Sequence, residues 1–332
     1  MDSSKLSYSR AEIITSIHRF YSAAIKPPYI DIDALVLPPE DGWSGVREDE
    51  LRKRGKTDEV IALLRHLPYL RNPSCKEKWM LSPDTLEIAY CDGDVYDELM
   101  DELQPTPPHC IWLTKHDSRD GVDLLLDTHT GTITEWSMLT RRLMIPYEEY
   151  EKLEKEDKWM GHPTFPAKDF FQLWQARWEK LVWLPISNPR RGKATVSWWW
   201  RATPGSDDEE AILDSDDDFE PDSDDESDEE TSLNSEGDAA LSDREADDIF
   251  KEAFGDEAQS KRIELVSEPS WGSAAPIPPQ TPSPDPRQDR YKRREDQAKE
   301  LYEIYKRNGW PAHFDREKCK VQLEEFRQTL HR

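Results

Sequence analysis

The sequence predicts an α+β fold: a small, mostly antiparallel sheet flanked by helices, followed by a disordered acidic segment and a C-terminal helical pair. Helix-like and strand-like hydrophobic patterns are mixed over residues 1–203, without the regular strand–helix repeat of a parallel sheet. Residues 204–285 carry too much charge and proline to form a core, whereas residues 286–332 regain helical periodicity. These three ranges are the predicted domains.

The helices are specified most clearly by their ends. Ser9 and Glu12 have the spacing of a capping box, in which each residue satisfies a free backbone donor of the other. Thr57 is positioned to cap a helix that ends before Pro68. Further helices are predicted over residues 47–54, 94–103, 146–157 and 166–182.

The central sheet is predicted from a meander. Residues 122–127 contain three consecutive leucines, residues 128–131 have the composition of a hairpin turn, and residues 132–136 return as the paired strand. The remaining predicted strands are 86–90, 110–115 and 195–201.

Negative charge is concentrated in one segment. The whole chain has a formal net charge of −26, and residues 206–260 alone have −23, from 25 acidic residues and two basic ones. Like-charge repulsion and scarce apolar surface predict that this segment does not fold by itself. Residues 249–254 form a small apolar island with helical spacing inside it.

Phosphorylation motifs lie in the acidic segment and in the proline-rich stretch that follows it. Four serines have an acidic residue three positions later, the pattern that acidophilic kinases favour, and two further residues precede proline. The candidate phosphorylation sites are Ser206, Ser215, Ser223, Ser227, Thr281 and Ser283. Each phosphate would add about 1.5–2 negative charges.

The hydrophobic pattern of residues 286–332 predicts two helices. The first covers residues 290–307 and ends at Asn308 and Gly309, a favourable C-cap pair, and Asp315 starts the second. Because two helices of this size make a weak unit alone, we expect them to dock on the main domain or on a partner.

Residues able to do chemistry are sparse. His109, Cys110, His116 and Asp117, with His129 nearby, are the closest approach to a reactive cluster, since a cysteine–histidine pair is able to act as a nucleophile. Cys110 lies in an apolar strand, where a buried thiol is ordinary. We therefore predict no catalytic residue and no enzyme activity.

No metal or cofactor site is predicted. The cysteines and histidines lack the paired spacing of a zinc site, and the glycines form no phosphate-binding loop. Asp117, Asp120, Asp123 and Asp127 lack the glycine and terminal glutamate of a helical calcium loop. We interpret them as turn residues and a solvated strand edge.

Three consecutive tryptophans, Trp198, Trp199 and Trp200, lie in the last predicted strand. Alternation directs Trp198 and Trp200 to one face and Trp199 to the other. The tryptophans either close the core or form an aromatic platform for a sugar, a base or a proline-rich peptide. Closing the core is the preferred interpretation, with Trp199 as the candidate aromatic contact.

Around the meander the chain resembles the SUKH superfamily, which includes fungal cell-wall assembly regulators and bacterial toxin-immunity proteins. The residues that carry the resemblance are Ile111, Trp112, Leu113, Asp120, Gly121, 124–127, Gly131, Ile133, Trp136, Phe165, Phe170, Phe171 and Trp174. The chain also resembles a set of fungal proteins at residues 67–69 and 309–311. The resemblance implies an α+β interaction domain without a shared catalytic residue set.

These observations favour a non-catalytic protein-interaction or regulatory protein. An acidic chaperone or escort for a basic protein, such as a histone or ribosomal protein, is the alternative, and an unrecognised enzyme built on His109, Cys110 and His116 is a further one. The expected partner is a protein, because phosphate would repel the acidic segment and no apolar run suits a membrane span. The N-terminus lacks an apolar signal core and the cysteines are unpaired in spacing, which predicts a cytoplasmic or nuclear protein. The oligomeric state stays open.

Overall fold

A computed structural model describes residues 7–74, 77–96, 105–140, 142–188, 194, 196–201 and 286–330. The predicted disordered acidic segment, the apolar island at 249–254 and most of the predicted helix 94–103 lie outside these residues. Helices and small antiparallel sheets are mixed in the described part, so the predicted α+β class is confirmed.

The α-helices of the described residues are α1 (Arg10–Ala24), α2 (Glu48–Lys53), α3 (Asp58–His66), α4 (Tyr147–Tyr150), α5 (Ala167–Glu179), α6 (Pro286–Arg307) and α7 (Arg316–Leu330). Two of them, α1 and α3, begin at the predicted caps. The Ser9 hydroxyl accepts the backbone N–H of Glu12 at 3.4 Å, and the Thr57 hydroxyl accepts that of Val60 at 3.3 Å. None of the described helices has the length and apolarity to cross a lipid bilayer.

Within the described residues, the strands pair antiparallel in four small sheets. They are β1 (Leu35–Val36), β2 (Tyr69–Leu70), β3 (Met80–Ser82), β4 (Thr85–Glu87), β5 (Cys110–Trp112), β6 (Thr114–His116), β7 (Val122–Asp127), β8 (Thr132–Ser137), β9 (Thr164–Pro166), β10 (Trp183–Ser187) and β11 (Val196–Trp200). The largest sheet has the order β5–β7–β8–β9, which is the predicted meander extended by β9. The others are β3–β4–β6, β1–β2 and β10–β11.

The predicted strand 110–115 is two strands that belong to different sheets. Leu113 separates them: its N–H donates to the carbonyl of Leu124 at 2.8 Å, and its own carbonyl accepts the N–H of Ile88 at 3.1 Å. One residue therefore carries backbone hydrogen bonds towards both sheets. This junction couples the two sheets.

Two other predicted elements differ from the structure. The helix predicted over 146–157 ends at Tyr150, because the mostly charged residues that follow offer little apolar surface to bury. The chain instead forms a 3₁₀ helix at Lys155–Gly161, from which Trp159 packs against the core. The strand predicted over 86–90 lies earlier, at β4, and is followed by a 3₁₀ turn at Tyr90–Asp92.

Strands β10 and β11 form what we term the tryptophan strand pair. In its register Leu184 lies opposite Trp199, and Pro185 lies opposite Trp198. Trp198 packs in the main core with α1, α5 and the sheets, whereas Leu184 and Trp199 pack in a second core. Because side chains alternate along a strand, the pair presents one face to each core.

The C-terminal helices α6 and α7 form the other wall of the second core. Their buried contributions, with the residues between them, are Ala298, Leu301, Ile304, Tyr305, Trp310, Cys319, Leu323 and Phe326. Trp310 Nε1 also donates to the carbonyl of Glu179 at 2.9 Å, and Arg316 Nη2 donates to the carbonyl of Ile30 at 2.5 Å. Of the two expectations for this helical pair, the structure shows docking on the rest of the chain.

We expect Leu323→Ala to lower the free energy of unfolding by about 2–5 kcal/mol, because a cavity replaces a buried side chain in the second core. Val321 lies on the same helix with its side chain 58% exposed, so Val321→Ala is the matched control, with an expected change under about 0.5 kcal/mol. Denaturant unfolding followed by tryptophan fluorescence measures both. Equal effects of the two substitutions would contradict the docking.

Candidate functional site

Strand β7 separates the residues that the sequence groups into one reactive cluster. At one end of the strand, His109 and Cys110 lie beside Asp127, and at the other end His116 contacts Asp123. The two aspartates are four residues apart along the strand, which corresponds to about 13 Å. They are therefore parts of two separate sites, and one calcium ion cannot bind both carboxylates.

The first site lies where β5 begins and β7 ends. Cys110 and Asp127 are directly opposite each other in the strand register, so their side chains share one face of the sheet. His109 precedes Cys110, and its Nε2 lies 3.6 Å from Asp127 Oδ1. The thiol sulfur, a nitrogen of His109 and a carboxylate oxygen all lie within 4.8 Å of one another. We refer to these three residues as the His–Cys–Asp group.

Hydrogen bonds around the turn after β7 hold this group in place. Asp127 Oδ1 accepts the N–H of His129 at 2.6 Å, and Oδ2 accepts the hydroxyl of Thr130 at 2.8 Å. The carbonyl of His109 accepts the N–H of Thr128 at 3.0 Å. The His129 ring stacks on that of His109 with centroids 3.7 Å apart. These contacts hold the Asp127 carboxylate, the His109 ring and the His109 backbone in place.

Burial shifts the pKa values of two members of the group, Cys110 and His109. It raises the pKa of the Cys110 thiol to about 12, and the negative charge of Asp127 acts in the same direction. Burial also lowers the pKa of His109. At neutral pH the thiol is protonated, and a protonated thiol is a poor nucleophile. This protonation state argues against the thiol-based enzyme.

The second site is a buried network around Asp123. This fully buried carboxylate accepts the Tyr96 hydroxyl at 2.5 Å, the backbone N–H of His116 at 2.5 Å and His116 Nδ1 at 3.0 Å. The hydrogen bond to Asp123 raises the pKa of His116. The interpretation of Asp123 as part of a solvated strand edge is therefore wrong, because protein donors take the place of water around it.

The tryptophans of β11 alternate between faces, and α6 covers Trp199. Trp199 is only 9% exposed, and its Nε1 donates to Gln297 Oε1 at 3.2 Å. Trp200, at 38% exposed, is the more accessible ring. The candidate aromatic contact Trp199 therefore packs against helix α6 of its own chain. The six candidate phosphorylation sites lie outside the residues that the structure describes.

Sequence reasoning missed the pairing of Cys110 with Asp127. The two residues are 17 positions apart, and motifs for metal sites rely on ligands in close pairs. The signal was present in the predicted meander, because strand register determines which residues lie opposite each other. Aligning the apolar residues of 110–112 with those of 125–127 would have placed the two side chains together.

Comparison of this chain with protein-family models, with curated proteins and with solved structures finds no match. The resemblance to the SUKH superfamily stays a prediction.

We expect Cys110 to resist alkylation in the native protein, because its thiol is buried and protonated. Iodoacetamide labelling read by peptide mass spectrometry should show it reacting at least about tenfold slower than in the urea-unfolded chain. Cys319 is the matched control, since burial raises its thiol pKa to about 12 as well. Fast labelling of Cys110 beside a protected Cys319 would support an activated thiol instead.

Proposed function

We propose that this chain is a non-catalytic, regulatory protein-interaction module in which the basic start of α6 competes with a protein partner for the acidic segment, residues 206–260. The folded α+β part supplies the scaffold, as the SUKH resemblance implies. The observation that supports the proposal is the attachment of both ends of the linking chain to the same second core.

The two attachments lie on either side of that core. The chain leaves the described residues after Arg201, at the end of β11, and re-enters them at α6. The Arg201 guanidinium lies 4.1 Å from the ring centroid of Tyr302 on α6. The guanidinium of Arg294 lies 5.8 Å from the ring centroid of Trp200. The acidic segment is thus joined covalently, at both ends, to parts of the chain that pack in the second core.

The first turns of α6 carry exposed positive charge. Lys292 and Arg293 are exposed there, and the sequence adds Arg287 and Arg290 to the same helix. A tether fixed at both ends keeps a segment of charge −23 at a high effective concentration near these cations. Contacts between exposed charges are screened by salt, so they form and break readily. Phosphates on the serines at 206–227 would strengthen them.

The cysteines support an intracellular setting for this role. Cys91, Cys110 and Cys319 are all free thiols. Unpaired cysteines are usual in reducing compartments. We place the module in the cytoplasm or nucleus, with a protein rather than a nucleic acid or a membrane as its partner.

We expect the chain to expand when salt is added. Raising the ionic strength from about 0.01 M to about 1 M shortens the Debye length from about 30 Å to about 3 Å. Screening then releases the acidic segment from α6, and the radius of gyration in small-angle X-ray scattering increases. A segment that only repels itself would contract under the same change, so the sign of the response decides.

Substitutions that remove two positive charges make this test specific. The Lys292→Gln/Arg293→Gln double variant should contract, rather than expand, when salt is added. Lys318→Gln with Lys320→Gln, which removes two exposed cations of α7, keeps the net charge matched and should still expand. Contraction of the unaltered chain would contradict the proposal.

A poly-lysine peptide separates regulation from the acidic-escort alternative. If α6 competes for the acidic segment, the Lys292→Gln/Arg293→Gln variant should bind poly-lysine about threefold or more tightly than the unaltered chain does. The α7 control should not gain affinity. Equal affinity of all three proteins would favour an acidic segment that acts alone as an escort.

A further inference from the structure

The His–Cys–Asp group has the geometry of a transition-metal site. Zinc bond lengths and a tetrahedral angle place neighbouring ligand atoms about 3.4–3.6 Å apart. His109 Nε2 and Asp127 Oδ1 are already 3.6 Å apart, and every ligand atom of the group lies within 4.8 Å of the others. Closing around a cation therefore requires side-chain shifts of about 1 Å.

We propose that His109, Cys110 and Asp127 bind a divalent transition-metal cation of the zinc class. A thiolate, an imidazole and a carboxylate together favour zinc or cobalt over calcium or magnesium, which take oxygen ligands. Three protein ligands leave the fourth tetrahedral position to a water molecule. This site does not depend on the acidic segment or on the function proposed above.

The surroundings orient the ligands as metal sites require. The Asp127 carboxylate is held by the N–H of His129 and the hydroxyl of Thr130, and such outer contacts fix the ligating oxygen. The Cys110 side chain is fully buried on rigid strand backbone, and the His109 side chain is 24% exposed, which leaves an entry path. Coordination would displace the thiol proton, as it does at zinc sites.

One charge opposes binding. Lys56 is nearly buried close to the group, and its ammonium donates to the Thr106 hydroxyl at 2.8 Å. When the cation is bound, the thiolate and carboxylate together carry two negative charges. These two charges balance those of the divalent cation. The positive charge of Lys56 therefore lowers the affinity for the cation without preventing its binding.

Cobalt titration of the full-length, reduced chain tests the site. Only a cysteine ligand gives a thiolate-to-cobalt charge-transfer absorption, so the many carboxylates of the acidic segment cannot mimic the signal. We expect one equivalent of Co²⁺ to develop this band and Zn²⁺ to abolish it by displacement. Cys110→Ser should remove the band, whereas the matched controls Cys91→Ser and Cys319→Ser should retain it.

The other two ligands provide a check that survives a folding defect. Loss of even an outer contact costs about 10–100-fold in metal affinity, so His109→Gln and Asp127→Asn should each weaken Co²⁺ binding by about 10-fold or more. Circular dichroism checks that each variant folds. If Cys110→Ser does not fold, the effect of His109→Gln on Co²⁺ affinity decides the test. The proposal would be overturned if the unaltered chain gave no band. It would also be overturned if His109→Gln left the affinity for Co²⁺ unchanged.

Discussion

The tryptophan strand pair has apolar side chains on both faces, and the structure depends on covering both. A two-stranded sheet is marginally stable by itself in water. The main core covers the face that carries Trp198, and α6 and α7 cover the face that carries Trp199. Residues 202–285 separate these two parts, and closing a loop of this length costs about 4 kcal/mol in chain entropy beyond a constant. Burial of two or three large side chains offsets such a cost, and Leu301 and Tyr305 are both fully buried.

This constraint changes how the acidic segment is understood. The chain on either side of it, up to Arg201 and from α6 onwards, belongs to one packed unit. The positive residues at the start of α6 are held in place by apolar packing elsewhere on the same helix. In the function proposed above, hydrophobic docking would hold these cations in position, while salt and phosphorylation would adjust their interaction with the acidic segment.

Local signals explain most of what the sequence predicts about the fold. Ser9 and Thr57 mark helix starts because capping is decided within four residues, and the run at 122–127 is long enough to show a strand. The strands of two or three residues, such as β1 and β3, contain too little pattern to be detected. The surroundings of Trp199 and the pairing of Cys110 with Asp127 depend on residues far away in the chain. They follow from tertiary packing and register, which spacing alone does not encode.

The most direct measurement is hydrogen exchange at the amides of β11, residues 196–200. Two altered chains are compared with the full chain: one that lacks residues 206–260, and one that ends at residue 205. We expect the internal deletion to keep the protection of β11, and the shortened chain to lose it while β7 and β8 stay protected. Unchanged protection of β11 in the chain that ends at 205 would contradict the account, since the strand pair would then need no cover from α6 and α7.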